Sequence, residues 1–278
     1  MIARRSGGYA GARGQDKRQS MEPANPVFAG QTHCRIRSGR AVLQGLYKFT
    51  FVSERGTGSG VMFATGGGRM YGGDSNFCFS GNFSTNDGVI AVELQMSRHN
   101  HDPKLIAMFD LDRAVLRYTG TVQGEEVHFD GHSEDLPGVH FRTILTRIND
   151  SDAPPPGKVG ADGISNGLYS IHIRMLDGID AGNTGVMMLH DGSIRGGDAF
   201  FDYIGAYSSA NGKWKGELVN REHTPARGER PLFSGHEVGI GFSGTYDGDG
   251  AIGEAVALAG KRSIRFRAVL RKLVVVED

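Results

Sequence analysis

The segment "HNHD", residues 99–102, places two imidazoles and a carboxylate within four positions. A metal centre needs three or four such donors held by a second layer of hydrogen bonds. Only a polar loop is expected here, because the corresponding stretch further on keeps His223 but has Pro225 in place of His101. "GISNG" (163–167) fits the G-x-S-x-G nucleophile pattern, but that pattern works only between a strand and a helix. A proline run precedes Ser165 and a strand pattern follows it, so no nucleophile is expected there. Acidic pairs occur in "GEEV" (124–127), "SEDL" (133–136) and "DGDG" (247–250), and they read as hairpin tips better placed to steer a basic partner than to exchange protons. "GTGSG" (56–60) and "PPPGKVG" (154–160) lack phosphate-loop spacing and read as flexible connections. No catalytic residue, metal or cofactor is therefore expected, and the chain reads as non-enzymatic.

The elements around these residues are set by composition. The 278 residues include 43 Gly and only 9 Pro, a balance that favours many turns between short strands. Net charge is zero, yet residues 1–42 hold eight Lys/Arg against two acidic residues, so the remainder carries −6. Residues 1–42 lack apolar periodicity and read as a basic disordered leader, with Met21 available as an internal start. No run is long and apolar enough for a spanning helix or a secretory signal, and Cys34 and Cys78 do not make a disulfide framework. A cytoplasmic location with no membrane contact is the expectation, and no direct nucleic-acid binding is expected either.

Internal repetition decides the architecture. "QGLYKFTF" (44–51) aligns with "NGLYSIHI" (166–173), and Gly60-Val61-Met62 aligns with Gly185-Val186-Met187. Gly72-Gly73-Asp74 then meets Gly196-Gly197-Asp198, followed by Phe77, Phe79, Gly81 and Phe83 opposite Phe201, Tyr203, Gly205 and Tyr207. The offset stays within a few residues to the end of each copy, which marks a tandem duplication. The organisation expected is a leader at 1–42, a first barrel at 43–148, a Pro/Gly linker at 149–165 and a second barrel at 166–274. The three prolines at 154–156 make the linker an extended, semi-rigid spacer.

Within each copy the apolar period is two. Tyr169, Ile171, Ile173 and Met175 share one face while Ser170, His172 and Arg174 share the other. The Gly-Gly-Asp segments (Gly72, Gly73, Asp74 and Gly196, Gly197, Asp198) are expected to form two-residue hairpin turns using positive φ. Gly205 among inward aromatics suggests a bend, or a ring lying across the backbone. An all-β chain of two small antiparallel barrels follows, with seven or eight strands in each.

Each copy resembles the GrlR family of negative regulators of type III secretion. The second copy carries the likeness in "GLYSIHI", "TGVMMLHDGSIRGGDAFFDYIGAY" and "FRAVLRKL", and the first in "GLYKFTF", "SGVMFATGGGRMYGGD" and "FRTILTRI". The resemblance implies an eight-stranded lipocalin-like barrel that dimerises and represses by holding a transcriptional activator through an acidic Glu-Asp-Glu-Asp stretch. That tetrad is absent here, and Glu134, Asp135, Asp247 and Asp249 are its partial counterparts as partner-binding residues. Two copies in one chain could pair intramolecularly where single-barrel relatives dimerise. The expected function is an intracellular regulator that binds a protein partner. The alternative is a carrier or sensor of a small hydrophobic ligand, with Phe77, Phe79, Phe83, Phe201, Tyr203 and Tyr207 lining the cavity.

Overall fold

The computed structural model describes residues 43–102, 110–176, 180–225, 233 and 235–276, with the side chains of 180–184 excepted. The basic leader lies outside the described residues. Eight strands make the first barrel: β1 (Gly45–Ser53), β2 (Gly56–Ala64), β3 (Arg69–Gly73), β4 (Phe77–Asn86), β5 (Val89–Arg98), β6 (Arg113–Gln123), β7 (Glu126–His132) and β8 (His140–Arg147). Eight more make the second: β9 (Gly167–Met175), β10 (Asp180–His190), β11 (Ser193–Gly197), β12 (Phe201–Ala210), β13 (Lys213–Glu222), β14 (Glu237–Tyr246), β15 (Gly250–Ala259) and β16 (Arg262–Val275). Each set pairs antiparallel in sequence order, and the first strand of each closes on its last, β1 on β8 and β9 on β16. Among the described residues no strand is exchanged between the two sheets.

Alternation supplies the cores. In β5 every second residue is buried, and Ile90, Val92, Leu94 and Met96 join Tyr47, Phe49, Phe79 and Phe129 inside the first barrel. Tyr169, Ile171, Ile173, Tyr203, Tyr207 and Trp214 fill the second. Strand β12 departs from this pattern, because Asp202, Ile204 and Ala206 are buried on its outer face as well. Ile204 is covered by Leu46 and Val61 of the other barrel, and Asp202 is paired with Arg221, which also donates to Asn149 O of the linker.

The two barrels meet along a seam related by an approximate two-fold axis. Leu46, Val61, Ile148 and Ile204 form one apolar cluster, with Phe63 against it, and Tyr71, Cys78, Leu168, Val186 and Met188 form the other. Duplicated residues take reciprocal places. A Cβ on Gly73 would stand 2.9 Å from Val186 Cγ1, and one on Gly197 would stand 2.7 Å from Val61 Cγ1. Val61 and Val186 are equivalent in the repeat, as are Gly73 and Gly197, so each copy presses a valine onto the other's glycine. This is the geometry of an isologous dimer written into one chain. The two clusters are built on buried residues, and both barrels belong to one compact unit.

Three sequence expectations are corrected. The segment 149–165 is not a free-standing spacer, nor 154–160 a flexible connection: Gly157 N–H donates to Gly192 O at 3.1 Å, and Gly160 N–H donates to Ser209 O at 2.7 Å. Val159 bridges Ser209, while Ile164 is buried in the second core, so the proline strap is docked on the second barrel. The Gly-Gly-Asp segments are not two-residue turns either. Residues 74–76 and 198–200 connect the strands, and the Asp side chain organises each turn while the glycines allow close approach of neighbouring backbone. A Cβ on Gly72 would stand 2.8 Å from Met62 Cα, and one on Gly196 2.9 Å from Met187 Cα. Finally, it is backbone and not a ring that crosses Gly205, where a Cβ would collide with Glu217 O. Of the four Gly-Gly-Asp glycines Gly197 alone has positive φ (159°), and paired positive φ is found at Asp87-Gly88, Asp191-Gly192 and Asn211-Gly212, the tight hairpins between β4 and β5, β10 and β11, and β12 and β13.

Candidate functional site

The Gly-Gly-Asp turns lie where the seam meets the barrel ends. Asp74 Oδ1 accepts from the amides of Asn76 (2.7 Å) and Phe77 (2.8 Å), and Asp198 Oδ1 accepts from Phe200 (2.7 Å) and Phe201 (2.8 Å). A histidine latches each turn from behind. His99 Nε2 lies 3.0 Å from Asp74 O and His223 Nε2 lies 3.2 Å from Asp198 O. A carbonyl only accepts, so each imidazole carries its proton on Nε2. The "HNHD" loop is thus a structural clasp. Across the seam, the Ala199 amide donates to Ser75 Oγ at 3.4 Å and Lys48 Nζ donates to His223 O at 3.1 Å.

Burial tunes these groups. Desolvation pushes the Asp74 carboxyl up to about 6; the Phe77 and Asn76 amides oppose the rise and the like charge of Asp198 adds to it. Asp198 also rises to about 6 through desolvation, opposed by the Tyr203 hydroxyl and two backbone amides. His223 falls to about 4, chiefly from desolvation, with the Asp198 carbonyl opposing and the Lys48 charge assisting. His99 is lowered for the same leading reason.

The copies differ at the second carboxylate oxygen. In the second barrel Tyr203 O–H donates to Asp198 Oδ2. The equivalent residue in the first barrel is Phe79, at the same register opposite the first glycine of the motif. Beside it lies a cavity of about 230 Å³. Its wall is mostly apolar, formed by Phe49, Met62, Phe79, Leu116, Phe129 and Phe141, and its polar side carries Asp74, Ser75 and Asn76. Ala199 of the second barrel completes the lining. At residue 200, where the first copy has Asn76, the second copy has a phenylalanine that packs against its own core.

The sequence-based cavity residues divide accordingly. Phe77 and Phe79 line the cavity, but Phe83, Phe201, Tyr203 and Tyr207 do not. Phe83 packs against the first core at the other side, and the last three are core residues of the second barrel. Of the polar cavity residues the sequence marks only Asp74, and that as a turn residue; Ser75 and Asn76 carry no signal of their own.

The acidic candidates do not assemble into one patch. Glu134 Oε1 accepts from Arg117 Nη1 at 2.7 Å, and Asp135 Oδ2 accepts from the Val115 amide at 2.8 Å. Asp247 Oδ1 accepts from the Asp249 and Gly250 amides at 3.1 and 3.0 Å. The first pair lies on the β7–β8 connection, at the end of the first barrel that holds the Asp74 turn. The second lies on the β14–β15 connection, at the end of the second barrel away from its Asp198 turn. Glu134 remains largely exposed, and Asp247 and Asp249 are exposed.

Other candidate chemistry has structural partners. Ser165 Oγ lies 3.2 Å from the Tyr169 hydroxyl, which donates to Ser165 O at 2.7 Å. Cys78 is buried in the seam and its thiol is pushed up to about 11 by desolvation, which keeps it unreactive. Among the described residues no cluster of three or more His, Cys, Asp or Glu could hold a metal.

No family model matches the chain, and no curated protein matches it. Among solved structures, a Bacteroides fragilis protein named as a candidate outer membrane protein is 10% identical, with 82% of this chain and 96% of that chain covered. Its TM-score is 0.21, too low a likeness to bear on fold or function.

Proposed function

We propose that this chain is a non-enzymatic intracellular regulator that binds a protein partner, such as a transcriptional activator, and restrains it in the manner of a type III secretion negative regulator. The observation that supports it most is the seam: the GrlR-like copies are paired on an approximate dyad, with the Gly-Gly-Asp turns that carry the resemblance placed at it. A rigid, pre-paired double barrel presents its outer surface without an ordering cost, which suits recognition. Mid-strand outer positions carry the pairs Glu93–Arg117, Asp130–Arg142 and Glu254–Arg267. Those pairs favour a water-facing surface over the apolar belt of a membrane barrel. Glu134, Asp135, Asp247 and Asp249 are the proposed partner contacts. Crosslinking and affinity purification from the native cell should recover a transcriptional regulator that rebinds the purified chain. Recovery of no such regulator counts against the reading.

A second reading, a carrier or sensor of a small hydrophobic ligand, is favoured by the 230 Å³ cavity in the first barrel. Native mass spectrometry of the purified chain should then show a bound organic mass that organic solvent removes.

A further inference from the structure

The duplication provides a comparison inside the molecule. Two Asp turns share the Gly-Gly-Asp that leads into them, their two amide-to-Oδ1 bonds and their histidine clasp. In the second barrel a phenol, the Tyr203 side chain, completes the Asp198 carboxylate. In the first barrel Phe79 stands at that register and brings no hydroxyl, so among the described residues no donor reaches Asp74 Oδ2. Asp74 and Phe79 both line the cavity, and Asp74 is only partly buried. One further polar atom of the lining, Asn76 Oδ1, is buried without a hydrogen-bond partner.

We infer that the first barrel binds a small, mainly apolar molecule with one hydrogen-bond-donating head, of single-ring phenol type, whose O–H takes on Asp74 Oδ2 the place that Tyr203 takes on Asp198. This rests on the small-ligand reading and adds to it the head group, the barrel and the stoichiometry of one. The volume agrees, lying below the ~300–1,000 Å³ typical of sites for drug-sized ligands. The aromatic wall suits a ring, since Phe49 and Phe79 already meet edge to face with centroids 5.6 Å apart. The carboxylate selects against anionic heads, because a second carboxylate there would face Asp74 and the nearby Asp198 charge. The site also includes Ser75 and Ala199, which bond to each other across the seam, so occupancy is placed to be felt where the barrels join.

The test is calorimetric titration of the full chain at pH 7.5 with p-cresol, p-xylene and p-toluate. The p-cresol molecule is the tyrosine side chain itself, p-xylene replaces its hydroxyl by methyl, and p-toluate replaces it by a carboxylate. One p-cresol per chain is expected, about ten- to hundredfold tighter than p-xylene, with p-toluate weakest. Phe79→Tyr supplies the hydroxyl internally and should abolish p-cresol binding while raising thermal stability. Asp74→Asn keeps an oxygen for the turn amides and should remove the preference for p-cresol over p-xylene. Equal binding of p-cresol and p-xylene to the unaltered chain overturns the head-group assignment while leaving an apolar-ligand site standing. Binding of none of the three overturns both, and two p-cresol molecules per chain overturn the restriction to the first barrel.

Discussion

Replacing Tyr203 by Phe converts the second Asp turn into a copy of the first and isolates one hydrogen bond. The ring stays, no cavity larger than a hydroxyl opens, and the Asp198 amide bonds remain. What is lost is the donor to Oδ2 of a carboxylate that is 7% exposed. A hydrogen bond to a charged group contributes about 1.5–3 kcal/mol, and stranding a buried charged acceptor puts the cost at the upper part of that range. The loss should depend on pH. Tyr203 stabilises the ionised form of Asp198, whose pKa already stands at about 6, so its removal drives that value higher. At pH 8 the carboxylate of the variant must either remain ionised without its donor or take up a proton, and both cost free energy. At pH 4.5 Asp198 is mostly protonated in either protein, and much of the difference disappears. Urea unfolding at the two pH values measures both quantities. A destabilisation of about 2–3 kcal/mol at pH 8 that falls below about 1 kcal/mol at pH 4.5 is expected. A cost under about 0.5 kcal/mol at pH 8, or equal costs at both pH values, would refute the assigned role of the Tyr203–Asp198 bond.

The seam predicts that Val61→Ala and Val186→Ala cost similar amounts, about 2 kcal/mol each, because each removes two buried methyls facing an equivalent glycine; denaturant melts giving costs that differ by more than about 1 kcal/mol would argue against the dyad. Asp198 and His223 pull stability in opposite directions with pH. The raised Asp198 value means the native chain holds extra protons between 3.8 and about 6, so its contribution falls as pH rises through that window. The lowered His223 value means the native chain holds fewer protons between about 4 and 6.5, so its contribution is lost as pH falls. The wild-type melting temperature should therefore vary little from pH 6.5 to 4.5, whereas His223→Gln should become more stable on acidification by up to about 3 kcal/mol, read by thermal melts across that range. Gly205→Ala should cost more than about 3 kcal/mol or prevent folding, since its Cβ would strike the Glu217 carbonyl; soluble expression and melting of the variant check this, and a near-neutral effect would exclude the close strand approach.

The strands and their faces were readable because period-two alternation needs no tertiary information. Ile264, Phe266, Ala268 and Leu270 read as one face in the sequence and stand on the second core in the structure. The repeat offset likewise fixed two equivalent units before any coordinates. What stayed hidden depends on contacts between the units. Residues 202, 204 and 206 read as an outward face, and they are outward from their own barrel, yet all three are buried, Ile204 by the seam. The glycines of Gly-Gly-Asp suggested positive φ, while their requirement comes from a valine and backbone atoms that only the paired barrels bring close. The linker reads as a separate spacer because prolines cannot join a ladder, but its other residues bond to β12 and to the hairpin at Gly192. The tight hairpins had a plain signal in Asp-Gly and Asn-Gly at 87–88, 191–192 and 211–212 that the Gly-Gly-Asp repetition overshadowed.

The same repetition explains how the two copies could diverge in use while remaining alike in fold. The turn geometry depends on Asp Oδ1 and its two amides, which both copies keep, and the seam depends on the reciprocal valine–glycine contacts, which both also keep. Oδ2 is under neither constraint. A tyrosine there seals the turn and fills the second barrel, whereas a phenylalanine leaves an acceptor facing an apolar space. With Asn76 in place of a core-filling phenylalanine, the first copy gives up packing at the end where its partner barrel also contributes to the wall. A duplicated barrel can lose that packing because the seam supplies apolar burial of its own. The second copy then acts as the rigid half against which the first is held, and the hydroxyl it retains marks the chemistry to look for in the first.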